Sequence, residues 1–353
     1  MSANVCKVIV ENNDATFECE KTELVLDEAI KHGIRLPHNC RGGACGTCKA
    51  QVLEGSVDHG WVMGFTITEE EKAEGKCLIC QSRATSDVLK IRMLNPMPSA
   101  SAGAAIEPQR FDAEVVSCVA VTPSVRRLVV AVPPEVDFRY ESGMHMEIGT
   151  AGVSPHRTYS IATPADESGK PVSGLLEFYI VRHPGGASSG WIHEELCVGR
   201  HVTVHGPYGQ FTLPSDIDDP MLLLAGGTGL APILSILKNL LARGHEREAV
   251  LIFSVRDASE VFAQDELRAL AHRYSHFRYL ITLTRQDEMP PHAHWRKGRL
   301  QGFLAEEFPD LSGWWVLSAG SPTFVEACVV AVKAQGAYEE RIFVDSFLPR
   351  VNH

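Results

Sequence analysis

Long apolar runs are missing from this chain of 353 residues. The run Met221 to Ala225 gives way to glycines, and every such run falls far short of the ~20 residues that a membrane-spanning helix needs. Also missing is an apolar core behind a basic start. The first residues read MSANVCKVIVENND, which sets a cytoplasmic location as the expectation. Positive charge is in deficit: 33 Lys and Arg stand against 44 Asp and Glu, a formal net charge of −11. That balance argues against a nucleic-acid partner and permits docking to a partner with a basic patch. Internal repeats are absent as well. With 44% hydrophobic and 22% charged residues, the chain reads as globular, and its length allows two or three domains.

Cysteine is what the chain has in excess, ten in all. Cys40, Cys45 and Cys48 fall in the run CRGGACGTC, a C-x4-C-x2-C spacing, and Cys80 lies downstream in LICQ. This is the spacing of plant-type 2Fe–2S proteins. Two irons and their sulfides need four thiolates from a wrapped, irregular loop. Gly42, Gly43 and Gly46 give the backbone room to curl and to aim amides at sulfur. Cys77 and Cys80 form a C-x2-C pair, so a structural zinc site is the rival, but the x4 spacing with three glycines is not that of a zinc ribbon. The scattered Cys6, Cys19, Cys118, Cys197 and Cys328 are expected to be small buried hydrophobes.

The stretch NPMPSASAGAAIEPQ, residues 95–109, has the composition of a linker. Before it, residues 1–94 read as a small α+β module: a hairpin (Cys6–Glu11, Thr16–Glu20), a helix over Val25–Lys31 stopped near Gly33, and strands at Lys49–Leu53 and Val88–Met93. Residues 110–214 carry short strands punctuated by Pro and Gly, as in a small antiparallel barrel, with one helix near Trp191–Leu196. Residues 215–353 alternate fully apolar strands with helices, which predicts a parallel, doubly wound sheet.

The segments PHNCRGGACGTCKAQVLEG and LICQSRATSD resemble a plant-type ferredoxin domain of the β-grasp fold, and that resemblance makes Cys80 rather than Cys77 the fourth cluster ligand. Three later segments resemble the ferredoxin–NADP reductase family. His156-Arg157-Thr158-Tyr159-Ser160 is similar to its R-x-Y-S motif. The resemblance implies that Arg157 meets a flavin phosphate, Tyr159 lies against the isoalloxazine and Ser160 sits near its reactive nitrogen. The segment Pro184–Trp191 is similar to the family's G-G-x-x-S, with Gly186, Ser188 and Ser189 placed for the pyrophosphate at a helix start. Gly206–Phe211 is similar to G-P-x-G-x-F and is expected to be structural. The implied flavin is FAD.

Gly226, Gly227, Thr228 and Gly229 follow a buried strand and open a helix, a pyrophosphate cradle similar to the family's A-G-G-T-G. Arg256 stands where it could meet a ribose or a 2′-phosphate, which leaves NADH and NADPH both open. Gly320, Ser321 and Pro322 align with the family's C-G-P-P, with Ala319 in place of its Cys. Phe347 resembles the family's last aromatic, which covers the flavin face that the nicotinamide must reach. The whole chain is similar to reductase components of multicomponent oxygenases. The resemblance implies transfer of electrons from NAD(P)H through FAD and a 2Fe–2S cluster to a terminal oxygenase, a Rieske oxygenase acting on an aromatic ring being the first expectation. A di-iron phenol- or methane-type monooxygenase and a deoxysugar dehydratase are the alternative partners. A non-enzymatic redox sensor is a further alternative, against which the complete flavin and nucleotide motifs count.

Overall fold

The computed structural model describes residues 4–34, 36–38, 41–64, 66–95, 106–150, 153–213, 217–289 and 292–347. The chain divides into two compact units: one ends before Ile106 and the other spans Ile106–Phe347. Among the described residues, no helix is long and apolar enough to cross a membrane.

In the first unit β1 (Val5–Val10) and β2 (Ala15–Glu20) form a hairpin, followed by α1 (Val25–Lys31), β3 (Lys49–Glu54), β4 (Val57–Asp58), α2 (Glu69–Ala73), β5 (Lys76–Leu78), β6 (Arg83–Ala84) and β7 (Val88–Met93). The main sheet runs β2-β1-β7-β3-β5, with β1 and β7 parallel, and β4 pairs with β6. Alternation in β1 sends Cys6, Val8 and Val10 inward against Val25, Leu26 and Ala29 of α1, all fully buried. The helix ends as its sequence demands. His32, Gly33 and Ile34 donate amides to Glu28, Ile30 and Ala29, and Gly33 takes positive φ.

The second unit begins with β8 (Gln109–Ala120), β9 (Val125–Ala131), β10 (His145–Thr150), β11 (Val153–Ser160), β12 (Leu175–Val181), α3 (Ala187–Glu194) and β13 (His201–Tyr208). These six strands are antiparallel in the order β11-β10-β13-β8-β9-β12. The sheet curls until its ends meet: the Ala162 amide, just past β11, donates to Glu177 O of β12 at 2.8 Å. Phe111, Phe138, Tyr140, Met146 and Phe178 fill the nearly closed barrel. Its first strand starts at Gln109, inside the segment that composition assigns to the linker, because Gln109 pairs with Gly206 of β13.

The parallel sheet consists of β14 (Met221–Gly226), β15 (Ala249–Val255), β16 (Phe277–Leu283), β17 (Trp295–Lys297), β18 (Trp315–Gly320) and β19 (Ile342–Ser346), ordered β17-β16-β15-β14-β18-β19. Helices α4 (Leu230–Ala242), α5 (Gln264–Arg273), α6 (Leu304–Glu307) and α7 (Pro322–Ala334) connect it. Every residue of β15 is buried, as expected of a strand covered on both faces. Chain order runs outward in both directions from β14, so the switch point lies between β14 and β18.

Barrel and parallel sheet share one apolar cluster, in which Phe211 and Tyr179 meet Ile236 and Phe262. On α4, Ser235 Oγ donates to Thr163 O at 2.7 Å and Asn239 Nδ2 to Ala165 O at 2.8 Å. Of the scattered cysteines, Cys6, Cys19 and Cys328 are buried as expected. Cys118 is half-buried and Cys197 exposed, because Cys197 lies in the turn after α3 rather than on an inward strand position.

Gly143 has φ +101°, and a Cβ added there would lie 1.9 Å from Phe211 O. The Gly143→Ala variant is therefore expected to lose on the order of 3 kcal/mol of stability. Denaturant unfolding followed by circular dichroism checks this, and a loss under about 1 kcal/mol contradicts the packing.

Candidate functional site

The cysteine loop connects the end of α1 to β3. Its curl needs left-handed backbone at Arg41, Gly43 and Gly46. At Gly43 a side chain has no room: an added Cβ would lie 2.8 Å from Trp61 O. Surrounding donors fix the loop's carbonyls. Gly43 O accepts from the Met63 amide and from buried Thr66 Oγ1, both at 3.0 Å. Gln81 Nε2 donates to Arg41 O at 3.1 Å. Asn95 Nδ2 donates to Gly46 O at 3.1 Å and to Thr47 O at 3.0 Å, so this residue, assigned by composition to the linker, belongs to the loop's frame.

Cys48, at the start of β3, and Cys80, in the turn after β5, are both buried. A hydrogen bond with the Cys80 thiol, reinforced by burial and by the charges of Cys80 and Cys45, holds the Cys48 thiol well above its ordinary range. Cys80 and Cys45 are thus near enough to Cys48 to act on its thiol. The fourth expected ligand, Cys40, lies outside the described residues. Cys77 goes elsewhere. It pairs with Ala50 in the β3–β5 ladder, is fully buried in the core, and burial pushes its thiol up to about 12. Among the described residues no three His, Cys, Asp or Glu side chains form a single-ion site. A binuclear cluster asks for a different arrangement, four thiolates shared by two irons. The donor set is all sulfur and largely buried, and it fits such a cluster.

In the barrel, β11 sets Arg157, Tyr159 and Ser160 opposite Ile148, Met146 and His145 of β10. Tyr159 packs against the barrel core, and its hydroxyl lies 3.2 Å from Ser188 Oγ in the first turn of α3. Burial pushes its phenol up, which Ser188 and the charge of Arg157 partly offset. Two of the sequence motifs thus meet at the N-terminus of α3, which begins after Gly186. The two serines part company here. Ser188 faces Tyr159, whereas Ser189 Oγ accepts from the His183 amide at 3.1 Å and donates to Gly186 O at 3.4 Å, closing the preceding turn. Phe211 is buried in the shared core, in keeping with a structural role for its segment.

At the switch point Gly226 ends β14 and Gly227–Gly229 form one tight turn into α4. An added Cβ at Gly229 would lie 2.1 Å from Ala319 O, so β18 backs directly onto this turn. Across the crevice Ser321 caps α7, its Oγ accepting from the Phe324 amide at 3.4 Å, and Pro322 occupies the first turn. The serine that departs from the family's proline is thus a helix cap. The Phe324 ring lies against Gly226 and Gly320. Phe347 is half-buried, and its amide donates to Gly320 O at 2.8 Å, which fixes its backbone at the end of β18. Arg256 follows β15 and pairs with Glu260 Oε1 at 3.0 Å. Motif reading passed over Glu260, as it did Thr66 and Asn95, because each acts through a contact distant in sequence.

Three domain patterns match the chain in order: a 2Fe-2S iron-sulfur cluster binding domain over residues 8–85, an oxidoreductase FAD-binding domain over 112–213 and an oxidoreductase NAD-binding domain over 223–329. The reductase subunit of an aromatic O-demethylase from Amycolatopsis sp. is 35% identical over 337 residues, covering 94% of this chain and 96% of the relative. A reductase component of terephthalate 1,2-dioxygenase from Comamonas sp. is 29% identical and covers 97% of each. The crystal structure of the Amycolatopsis cytochrome P450 reductase GcoB superposes with a TM-score of 0.75 at 32% identity, over 98% of this chain and 99% of that one. Fold, cofactor domains and whole-length likeness agree: this chain belongs to the family of NAD(P)H-dependent iron–sulfur flavoprotein oxidoreductases that serve as reductase components of oxygenase systems.

Proposed function

We propose that this chain delivers electrons from NAD(P)H to the terminal oxygenase of an aromatic-oxidising system, and that Cys40, Cys45, Cys48 and Cys80 hold its cluster. The C-x4-C-x2-C spacing, the burial of Cys48 and Cys80 and the match to a 2Fe-2S cluster binding domain over residues 8–85 carry the proposal. When bound, FAD and the 2Fe–2S cluster supply the conversion of a hydride donor into single electrons. The protein's part is to bind, orient and seal. Arg157 and the start of α3 at Gly186, Ser188 and Ser189 offer a guanidinium and helix amides to the flavin phosphates. Tyr159, clamped by Ser188, is a flat wall for the ring, and Ser160 next to it presents a hydroxyl. Gly226, Gly227, Thr228 and Gly229 cradle the dinucleotide pyrophosphate, with Gly320, Ser321 and Pro322 on the other side of the switch point. Phe347 stands at the mouth of that crevice and shields the flavin face. The corresponding functional segments are residues 1–94, 110–214 and 215–353, with Asn95 joined to the first and Gln109 to the second by their contacts.

Beside the di-iron monooxygenase and deoxysugar dehydratase that the resemblance leaves open, two acceptors have a specific likeness behind them. A Rieske oxygenase is the first, by the resemblance of the His292–Arg299 stretch and Ala319–Pro322 to reductases of aromatic-carboxylate dioxygenases. A cytochrome P450 is the second, favoured by the whole-length likeness to a P450 reductase. Reconstitution with each oxygenase class separates them by coupled NADH consumption. A cytoplasmic site of action completes the proposal, and the described cysteines form no disulfide, which suits a reducing compartment.

Replacing Cys80 by Ser should abolish bound iron and acid-labile sulfide. Cys77→Ala should retain both at a cost of about 1 kcal/mol for the lost core thiol. A Cys77→Ala protein that keeps its flavin but lacks iron and acid-labile sulfide would reassign the fourth ligand. Cys45→Ser should keep NADH-dependent ferricyanide reduction within about twofold yet lose cytochrome c reduction at least roughly tenfold. Normal cytochrome c reduction by that variant overturns the proposed order of electron flow.

A further inference from the structure

Glu260 lies on a single turn after β15, with its side chain 13% exposed. Its carboxylate faces two ways. Oε1 accepts from Arg256 Nη2 at 3.0 Å. Oε2 accepts from Ser124 Oγ at 2.6 Å and Thr122 Oγ1 at 3.2 Å, both in the turn joining β8 to β9 of the barrel. Asp257 adds a second carboxylate beside Arg256. Its Oδ1 caps the same turn, accepting from the Ser259 amide at 3.0 Å and from Ser259 Oγ at 2.5 Å.

Strand register places this group relative to the glycine turn. Gly226 pairs with Ser254, so Arg256 lies just past the C-terminal edge of the strand next to that turn. In doubly wound sheets the end of this second strand reads the adenosine ribose: a carboxylate takes the 2′-hydroxyl and an arginine takes a 2′-phosphate. Here both residue types are present, and their geometry decides between them. The guanidinium is already paired, and the carboxylate that pairs with it is anchored from behind by two barrel hydroxyls. Within residues 256–260 one positive and two negative formal charges leave a net −1 beside an incoming dianion. A 2′-phosphate would have to displace or share Glu260.

We propose that Glu260 is a specificity-determining residue: by occupying Arg256 from an anchored position, it reserves the site for the unphosphorylated dinucleotide, NADH. The proposal rests on the nucleotide reading of the β14–β15 site. It adds a residue that touches Arg256 and the barrel, and that acts on cofactor choice through Arg256.

The test uses the full-length holoprotein and two fragments that cannot turn over, 5′-AMP and adenosine 2′,5′-bisphosphate, measured by titration calorimetry. Glu260→Gln should tighten the bisphosphate about tenfold, the size of one charge-assisted hydrogen bond, and leave 5′-AMP within about twofold. The NADPH-to-NADH ratio of KM in ferricyanide reduction should fall in parallel. Glu260→Asp, which keeps the charge, should hold the original preference. Ser124→Ala, which removes the shorter of the two anchors and keeps the charge, should loosen the preference in the same direction by less than Glu260→Gln does, and Arg256→Gln combined with Glu260→Gln should cancel the gain. An unchanged bisphosphate-to-AMP ratio in Glu260→Gln, with both fragments binding and the flavin spectrum intact, overturns the role of Glu260 alone. Failure of both fragments to bind either protein, with no NADH oxidation, overturns the nucleotide site itself and this inference with it.

Discussion

The burial of both the Cys48 and the Cys80 thiol is the constraint around which the first unit is arranged. Bringing the start of β3 to the turn after β5 requires a short β3–β5 ladder, and that ladder turns Cys77 into the core. Bringing the loop over the pair requires left-handed backbone at three positions, one of which abuts Trp61. The donors that hold the loop come from Thr66, Gln81 and Asn95, far apart in sequence. A thiol set of this kind is preorganised by its surroundings, and the surroundings account for most of the module.

The second unit solves a related problem with different means. The tight turn at Gly227–Gly229 exists because β18 leaves no space behind it, and the capped start of α7 faces it across the switch point. Barrel and sheet are fastened by side chains on α4, by a shared apolar core and by Glu260. The β11 segment Arg157–Ser160, the glycine turn and β15 thereby belong to one packed body. This suits a reaction whose partners must be held within near-contact distance.

Much of this was legible in the sequence where periodicity or spacing is strong. The helix Val25–Lys31 and the strand Val88–Met93 have the bounds that the sequence predicts, and the apolar run Met221–Ala225 announces a central parallel strand. The cysteine spacing was legible because cluster chemistry fixes it. Lost were β5 and β6, too short at three and two residues to show alternation, and α2, whose residues Glu69–Ala73 bury nothing and carry no apolar stripe. Its start is set instead by a capping box between Thr68 and Glu71. Asn95 was hidden because a linker-like composition says nothing of one side chain folding back. The sequence reading gives Ser188 and Ser189 the same role, and they separate only once the helix fixes which one faces Tyr159.

The fastenings of α4 have a consequence for how such chains recombine. Ser235 and Asn239 grip main-chain carbonyls of Thr163 and Ala165, and every amino acid supplies a carbonyl there. The barrel can drift in sequence at those positions without loosening its dock. The clasp at Glu260 is less tolerant, since it needs hydroxyls at Thr122 and Ser124. Exchange of nucleotide modules between relatives is thus forgiving along α4 and selective at one small turn, where the borrowed module must find the right two side chains waiting.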